Sequence, residues 1–226
     1  MIHAPALFAA FFLAGAASAQ PADPVSTPAV TAGAPVAAPP LSTPPQAAEA
    51  PKPAGPRVAL QTGLGRIVLE LDREKAPITV ANFLRYVDQK RFDGTSFYRA
   101  LKFPAPTPLG LIQAGIKGRS DKTLPPIAHE PTSKTGLSHT DGAISMARGA
   151  PGSAQGDFFI IIGNLNTLDA SETDPGYAVF GRVVEGMDVV IKLLGAPTSP
   201  TEGSAAMKGQ MIAAPVPVVT ATRIKG

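Results

Sequence analysis

The 226-residue chain has no cysteine, which excludes disulfides, thiolate metal sites and a thiol-anchored lipid and leaves the redox compartment open. It also lacks a basic stripe. The net charge is +3, with Lys and Arg scattered, so nucleic acid is not an expected partner. The N-terminal apolar run, residues 7–13, is too short to cross a membrane comfortably. No nucleophile elbow surrounds any serine, and His129 and His139 are too far apart for a helical ligand pair. The neighbouring pairs His129-Glu130 and Ser138-His139 therefore indicate neither a metal centre nor a hydrolase, and no cofactor is expected. No internal repeat is evident.

What the chain does contain is unevenly spread. Hydrophobic residues make up 44%, enough for one packed domain, while 12 of the 25 prolines crowd into the 56 residues before Arg57. Residues 1–19 read as a signal peptide: an apolar run, then small residues ending Ala17-Ser18-Ala19, with cleavage after Ala19. The n-region has no Lys or Arg, only the amino terminus and His3. Export to the periplasm or beyond is expected, without stable membrane insertion after cleavage. Residues 20–56 form a Pro/Ala-rich tract with almost no large apolar side chains, so a disordered linker of polyproline II character is expected. Residues 57–226 are left for the domain.

Within it, residues 57–62 and 66–71 flank Gly63-Leu64-Gly65, a hairpin signal. Pro77 opens a helical pattern in which Val80, Phe83/Leu84 and Val87 recur at i, i+3/4 and i+7. Residues 96–101, 111–114, 143–147, 158–162 and 178–183 read as short strands. Met187, Val190, Ile191 and Leu194 make a second amphipathic helix stopped by Gly195, and residues 216–224 close the fold as a strand. Many short strands with two helices predict a mainly β fold, a closed antiparallel barrel with its ends plugged by the helices.

The stretch TDGAISMARGAPGSAQGDFFIII, residues 140–162, organises the rest. A Gly/Ala/Pro/Ser loop between two buried strands lets a ligand's backbone come close. Period-2 alternation sends one ring of Phe158-Phe159 into the core and the other across the sheet. A shallow groove for an extended peptide follows.

These residues resemble the signature of the cyclophilin-type peptidyl-prolyl cis-trans isomerases. FDGTSFYR (residues 92–99), LIQAG (111–115) and YAVFGRVVEGMDVV (177–190) match the same family in the same order. The resemblance implies an eight-stranded barrel capped by two helices, rotation about X-Pro bonds, and proline-containing polypeptides as partners of a monomer. It implies that Arg99 is the catalytic donor and that Gln113 hydrogen-bonds substrate backbone. It matches Ala147 with Arg148 to a backbone-contacting pair beside Met146, and Phe159 and Leu168 to the wall around the proline ring. Leu111 shares a face with Gln113 by alternation. Asp157 stands where the family has glutamine, Arg148 where it has asparagine, and Tyr177 where it has histidine. Asp157 could pair with Arg99. The family's pocket phenylalanine is Gly110 or Leu109 here, after an insertion at residues 102–108, and its tryptophan is Thr167, which implies weak cyclosporin binding. The alternative is a catalytically weak module that holds proline-containing segments as a chaperone or scaffold.

Overall fold

A computed structural model of the chain describes residues 55–224. The expected signal segment, and the linker up to residue 54, lie outside the described residues. Eight strands close an antiparallel barrel: β1 (Arg57–Thr62), β2 (Gly65–Leu71), β3 (Thr95–Lys102), β4 (Gly110–Gly115), β5 (Ala143–Met146), β6 (Phe158–Ile162), β7 (Ala178–Glu185) and β8 (Met211–Ile224). Their order around the barrel is β1-β2-β7-β5-β6-β4-β3-β8, so no strand is left as an edge. Among the described residues no helix is long and apolar enough to cross a membrane.

The helices are α1 (Pro77–Asp88), a single turn α2 (Thr132–Thr135), and α3 (Met187–Gly195). The sequence pattern marks α1 and α3 but not α2, which is too short to show a periodicity. Proline opens α1, and no side chain of its own caps it. The cap comes from 52 residues away. Glu130 Oε1 accepts the Ile78 N–H at 3.1 Å, and Oε2 accepts the Thr79 N–H at 2.7 Å and its hydroxyl at 2.6 Å. A carboxylate at a helix N-terminus satisfies orphan donors and suits the dipole. Helix α3 starts at Gly186, φ +85°, where a Cβ would come within 2.2 Å of the Arg66 carbonyl.

Alternation along the strands fills the barrel with Val58, Leu60, Ile67, Leu69, Phe97, Ile112, Phe158 and Phe180. Phe83 of α1 plugs one end, with ring centroids 5.0–5.3 Å from Phe92, Phe158 and Phe180. Val190 and Leu193 of α3 join the same core.

Strand β8 begins at Met211, five residues before the expected start. Pro215 and Pro217 hide it in the sequence because they cannot donate to a ladder. The ladder with β3 jumps from Phe97↔Val216 to Arg99↔Met211, so the intervening β8 residues leave it.

Candidate active site

A bulge in β3 aims the central side chain. Against β4, Phe97 pairs with Ala114 and Arg99 with Gln113, leaving Tyr98 as an extra residue. Strict alternation would send Tyr98 and Arg99 to opposite faces. With the bulge, both Tyr98 and Arg99 meet Gln113 on the outside of the barrel.

Four neighbouring strands then place one residue each in a lateral row. Phe159 of β6 pairs with Gln113 of β4, Gln113 with Arg99 of β3, and Arg99 with Met211 of β8. Phe159 belongs to a second apolar cluster outside the barrel, with Leu111, Ala143, Ile161, Leu165 and Val179. Leu101, Leu109, Ala147, Leu168 and Tyr177 pack onto that cluster as partly buried cover. An apolar wall thus stands beside two polar side chains.

The polar half is a chain of directed hydrogen bonds. Arg99 donates from Nε to Gln210 Oε1 and from Nη1 to Gln113 Oε1, both at 2.9 Å. Arginine only donates, so Gln113 must present its oxygen to Arg99 and its amide nitrogen to Tyr98 Oη, 2.7 Å away. Tyr98 donates onward to Asp157 Oδ1 at 3.0 Å, which also accepts the Lys117 N–H at 2.9 Å. The Nη2 group of Arg99 has no protein hydrogen bond among the described residues. Burial draws the guanidinium below its ordinary value, yet an arginine keeps its charge. Burial, aided by the Asp157 charge, pushes the Tyr98 phenol far up, so it stays a donor. Burial also raises the Asp157 carboxyl, against the Lys117 and Tyr98 donors that oppose it.

Of the residues expected at this site, Arg99, Leu111, Gln113, Ala147, Phe159, Leu168 and Tyr177 come together here. Met146 does not. Alternation along β5 turns its side chain into the barrel core, while Ser145 faces outward. Asp157 does not pair with Arg99. It holds Tyr98 instead and borders a cavity of about 510 Å³ with Lys117, Met207 and Met211. Arg148 is drawn back onto its own chain. Its Nε and Nη2 donate to the Gly176 carbonyl and its Nη1 to that of Gly149, and the guanidinium lies 4.9 Å from the Tyr177 ring centre.

Gln210 is a functional contact that sequence reasoning missed. It lies 111 residues from Arg99, and only the β3–β8 ladder brings it near. Gly110 explains the missing phenylalanine: with φ +157°, a Cβ there would come within 2.1 Å of the Leu101 carbonyl. The inserted residues 102–108 close the β3–β4 hairpin, pinned where Lys102 Nζ meets the Ala196 carbonyl at 2.9 Å.

A larger cavity, about 940 Å³, lies between β2, β7 and residues 136–141. None of the expected site residues lines it, and Glu70 on its wall is tied to Arg57 and Arg182. Among the described residues there is no group of three or more His, Asp or Glu placed to hold a metal ion.

Comparison with known proteins bears on the same stretch. A family model described as cyclophilin type peptidyl-prolyl cis-trans isomerase/CLD matches residues 57–214. A peptidyl-prolyl cis-trans isomerase of Acinetobacter baylyi is 42% identical over 150 residues, covering 65% of this chain and 76% of that protein. Peptidyl-prolyl cis-trans isomerase B of Escherichia coli is 39% identical over 146 residues, covering 62% and 85%. Among solved structures, a cyclophilin-type isomerase of Cryptosporidium parvum, crystallised in the presence of the dipeptide Ala-Pro, superposes with a TM-score of 0.61. It covers 75% of this chain and 99% of that one at 20% identity, a likeness of fold.

Proposed function

The chain belongs to the cyclophilin-type peptidyl-prolyl cis-trans isomerase family and is a peptidyl-prolyl cis-trans isomerase, and from that premise we propose that Arg99 is its catalytic donor and that its substrates are proline-containing segments of exported proteins. The observation that carries the reading is the row Phe159–Gln113–Arg99, an apolar wall beside a fixed donor pair.

An X-Pro bond isomerises slowly because twisting it forfeits amide resonance, a barrier of roughly 18–20 kcal/mol. No nucleophile is required. The twisted state has a pyramidal prolyl nitrogen whose lone pair is free to accept a hydrogen bond, so a donor aimed there stabilises it over the planar amide. A 10^5-fold acceleration asks for about 7 kcal/mol of such differential stabilisation. Arg99 suits this role. Gln113 and Gln210 hold two edges of its planar fork, and Nη2 is left to donate. Phe159, Leu111 and Leu168 form the wall for the pyrrolidine ring, and Gln113 and the backbone at Ala147 hold the flanking peptide. Arg148 and Tyr177 together close one side of the groove. Asp157 acts through Tyr98 by fixing Gln113.

The test is catalysed cis/trans exchange of a short Xaa-Pro peptide, wild type beside Arg99→Ala. The expected loss in kcat/KM is roughly 10^2–10^3-fold, the scale for removing one preorganised donor. Wild-type protein that binds the peptide without accelerating exchange would sink the reading. The export reading expects a monomeric mature protein starting at Gln20 outside the cytoplasm. Recovery of an intact Met1 terminus in the cytoplasm would overturn it.

A further inference from the structure

Behind the pocket wall lies a buried relay that the isomerase chemistry does not use. His139 is fully buried, with Nδ1 2.5 Å from Asp169 Oδ1 and Nε2 3.0 Å from Ser145 Oγ. Asp169 Oδ1 also accepts the His139 backbone N–H at 3.0 Å, and Oδ2 accepts the Ser138 hydroxyl. A carboxylate only accepts, so Nδ1 carries the proton and Nε2 accepts from the Ser145 hydroxyl.

Serine, histidine and carboxylate in this order have the connectivity of a hydrolase triad. Ser145, however, is fully buried on β5 and faces Phe159 across the ladder, so no acyl group reaches its Oγ. The relay has another neighbour. The imidazole lies parallel to the Phe159 ring, with centroids 5.9 Å apart and planes 11° apart, and Tyr177 meets it edge-on at 6.5 Å. Asp169 directly follows Leu168, whose carbonyl accepts the Tyr177 N–H at 3.0 Å.

We propose that His139, held at both ring nitrogens by Asp169 and Ser145, is the positioning residue of the proline pocket. It fixes the plane of the Phe159 ring and ties to it the segment carrying Leu168 and Tyr177. A phenylalanine at a strand surface pivots freely unless its neighbours are themselves locked, and an imidazole bonded at both nitrogens is locked. The inference rests on the isomerase reading, because it assigns the wall to the pyrrolidine ring. That wall touches the ring before and during rotation, so loosening it weakens binding without slowing the bound step. Arg99 acts on the rotation itself, which separates the two roles.

The experiment compares wild type, His139→Phe and Asp169→Asn. His139→Phe keeps a ring against Phe159 and loses both hydrogen bonds. Peptide affinity is read by NMR titration with an Ala-Pro-containing peptide, and exchange is read at saturating peptide. Both variants are expected to bind roughly tenfold more weakly, with exchange at saturation within about twofold of wild type. A downfield Nδ1–H resonance in the wild type should vanish in His139→Phe and move in Asp169→Asn. Folded variants that bind as tightly as wild type overturn the proposal, and so does lost exchange at unchanged affinity. If His139→Phe does not fold, Asp169→Asn carries the test alone, since its side chain is partly exposed. Wild type that binds without catalysing, while both variants bind more weakly, would fail the isomerase reading and leave the positioning role standing.

Discussion

Two apolar clusters share the same strands and have different work. Phe158 and Phe159 are neighbours on β6, and both are almost fully buried. Phe158 packs inside the barrel among Phe83 of α1, Phe97 of β3 and the loop residue Phe92, enclosed by the strands around it. Phe159 packs outside, against His139 and Tyr177, under a cover of loop residues. The inner cluster is enclosed by the barrel strands with α1 and α3, and loop residues such as Phe92 and Leu124 only add to it. The outer one is completed by residues from loops, and that is where a ligand can be received. Burial alone does not tell stabilising from functional apolar residues; what does the covering does.

The sharpest way to break this comparison is to truncate the two neighbours. Phe158→Ala should cost roughly 3–5 kcal/mol of folding stability, read by urea unfolding, with peptide affinity unchanged in the folded fraction. Phe159→Ala should cost less stability yet weaken peptide binding roughly tenfold. Equal losses of stability with unchanged affinity for Phe159→Ala would mean the outer cluster is merely a second core.

A smaller effect comes with acid. Burial holds His139 below its ordinary value of 6.5, opposed by the Asp169 carboxylate, which its own bonds to Ser138 and His139 keep ionised despite burial. The groups facing the ring are Asp169 at Nδ1, the Ser145 hydroxyl at Nε2, Phe159, and Tyr177 with Arg148 stacked upon it. Because the folded state binds this proton less readily than the unfolded chain, stability is complete above pH 6.5. It falls as pH drops from there through the folded-state value. A second proton at Nε2 would also leave the Ser145 hydroxyl hydrogen without an acceptor. Thermal melts between pH 7.5 and 4.5, as an order-of-magnitude window, should show this loss in wild type and not in His139→Phe. Identical profiles would remove His139 from the account.

The smallest effect is expected at Asp157, on the polar side of the row. Its folded-state value lies above the ordinary 3.8, so its charge costs stability as pH rises through and beyond the unfolded value. Asp157→Asn should therefore be slightly more stable at pH 7 while still accepting from Tyr98 and Lys117. A variant less stable than wild type at neutral pH would show that the charge itself holds Tyr98.

Much of this was legible beforehand. Alternation in LIQAG put Leu111 and Gln113 on one face, and FF at residues 158–159 announced one ring in and one out. Pro77 and the i, i+3/4, i+7 spacing located α1. Met146 was misplaced because a motif match carries a position and not the direction of a side chain. The partner of Asp157 is not legible for a related reason: nearness in a motif does not say which donor a carboxylate meets. The Ser145–His139–Asp169 relay stayed hidden, since its carboxylate is 30 residues from the histidine and its serine is not the adjacent Ser138.

Local pattern by itself determined α1, α3, most strands, the two faces of each unbulged strand and the residue types of the site, because periodicity and turn chemistry act over a few residues. The tertiary structure alone decided which of those residues meet. Barrel closure sets Gln210 against Arg99, the β3 bulge turns Arg99 and Tyr98 to the same side, and long-range packing puts Glu130 at the start of α1 and His139 behind Phe159. These contacts depend on register and chain crossing over tens of residues, which no local period encodes.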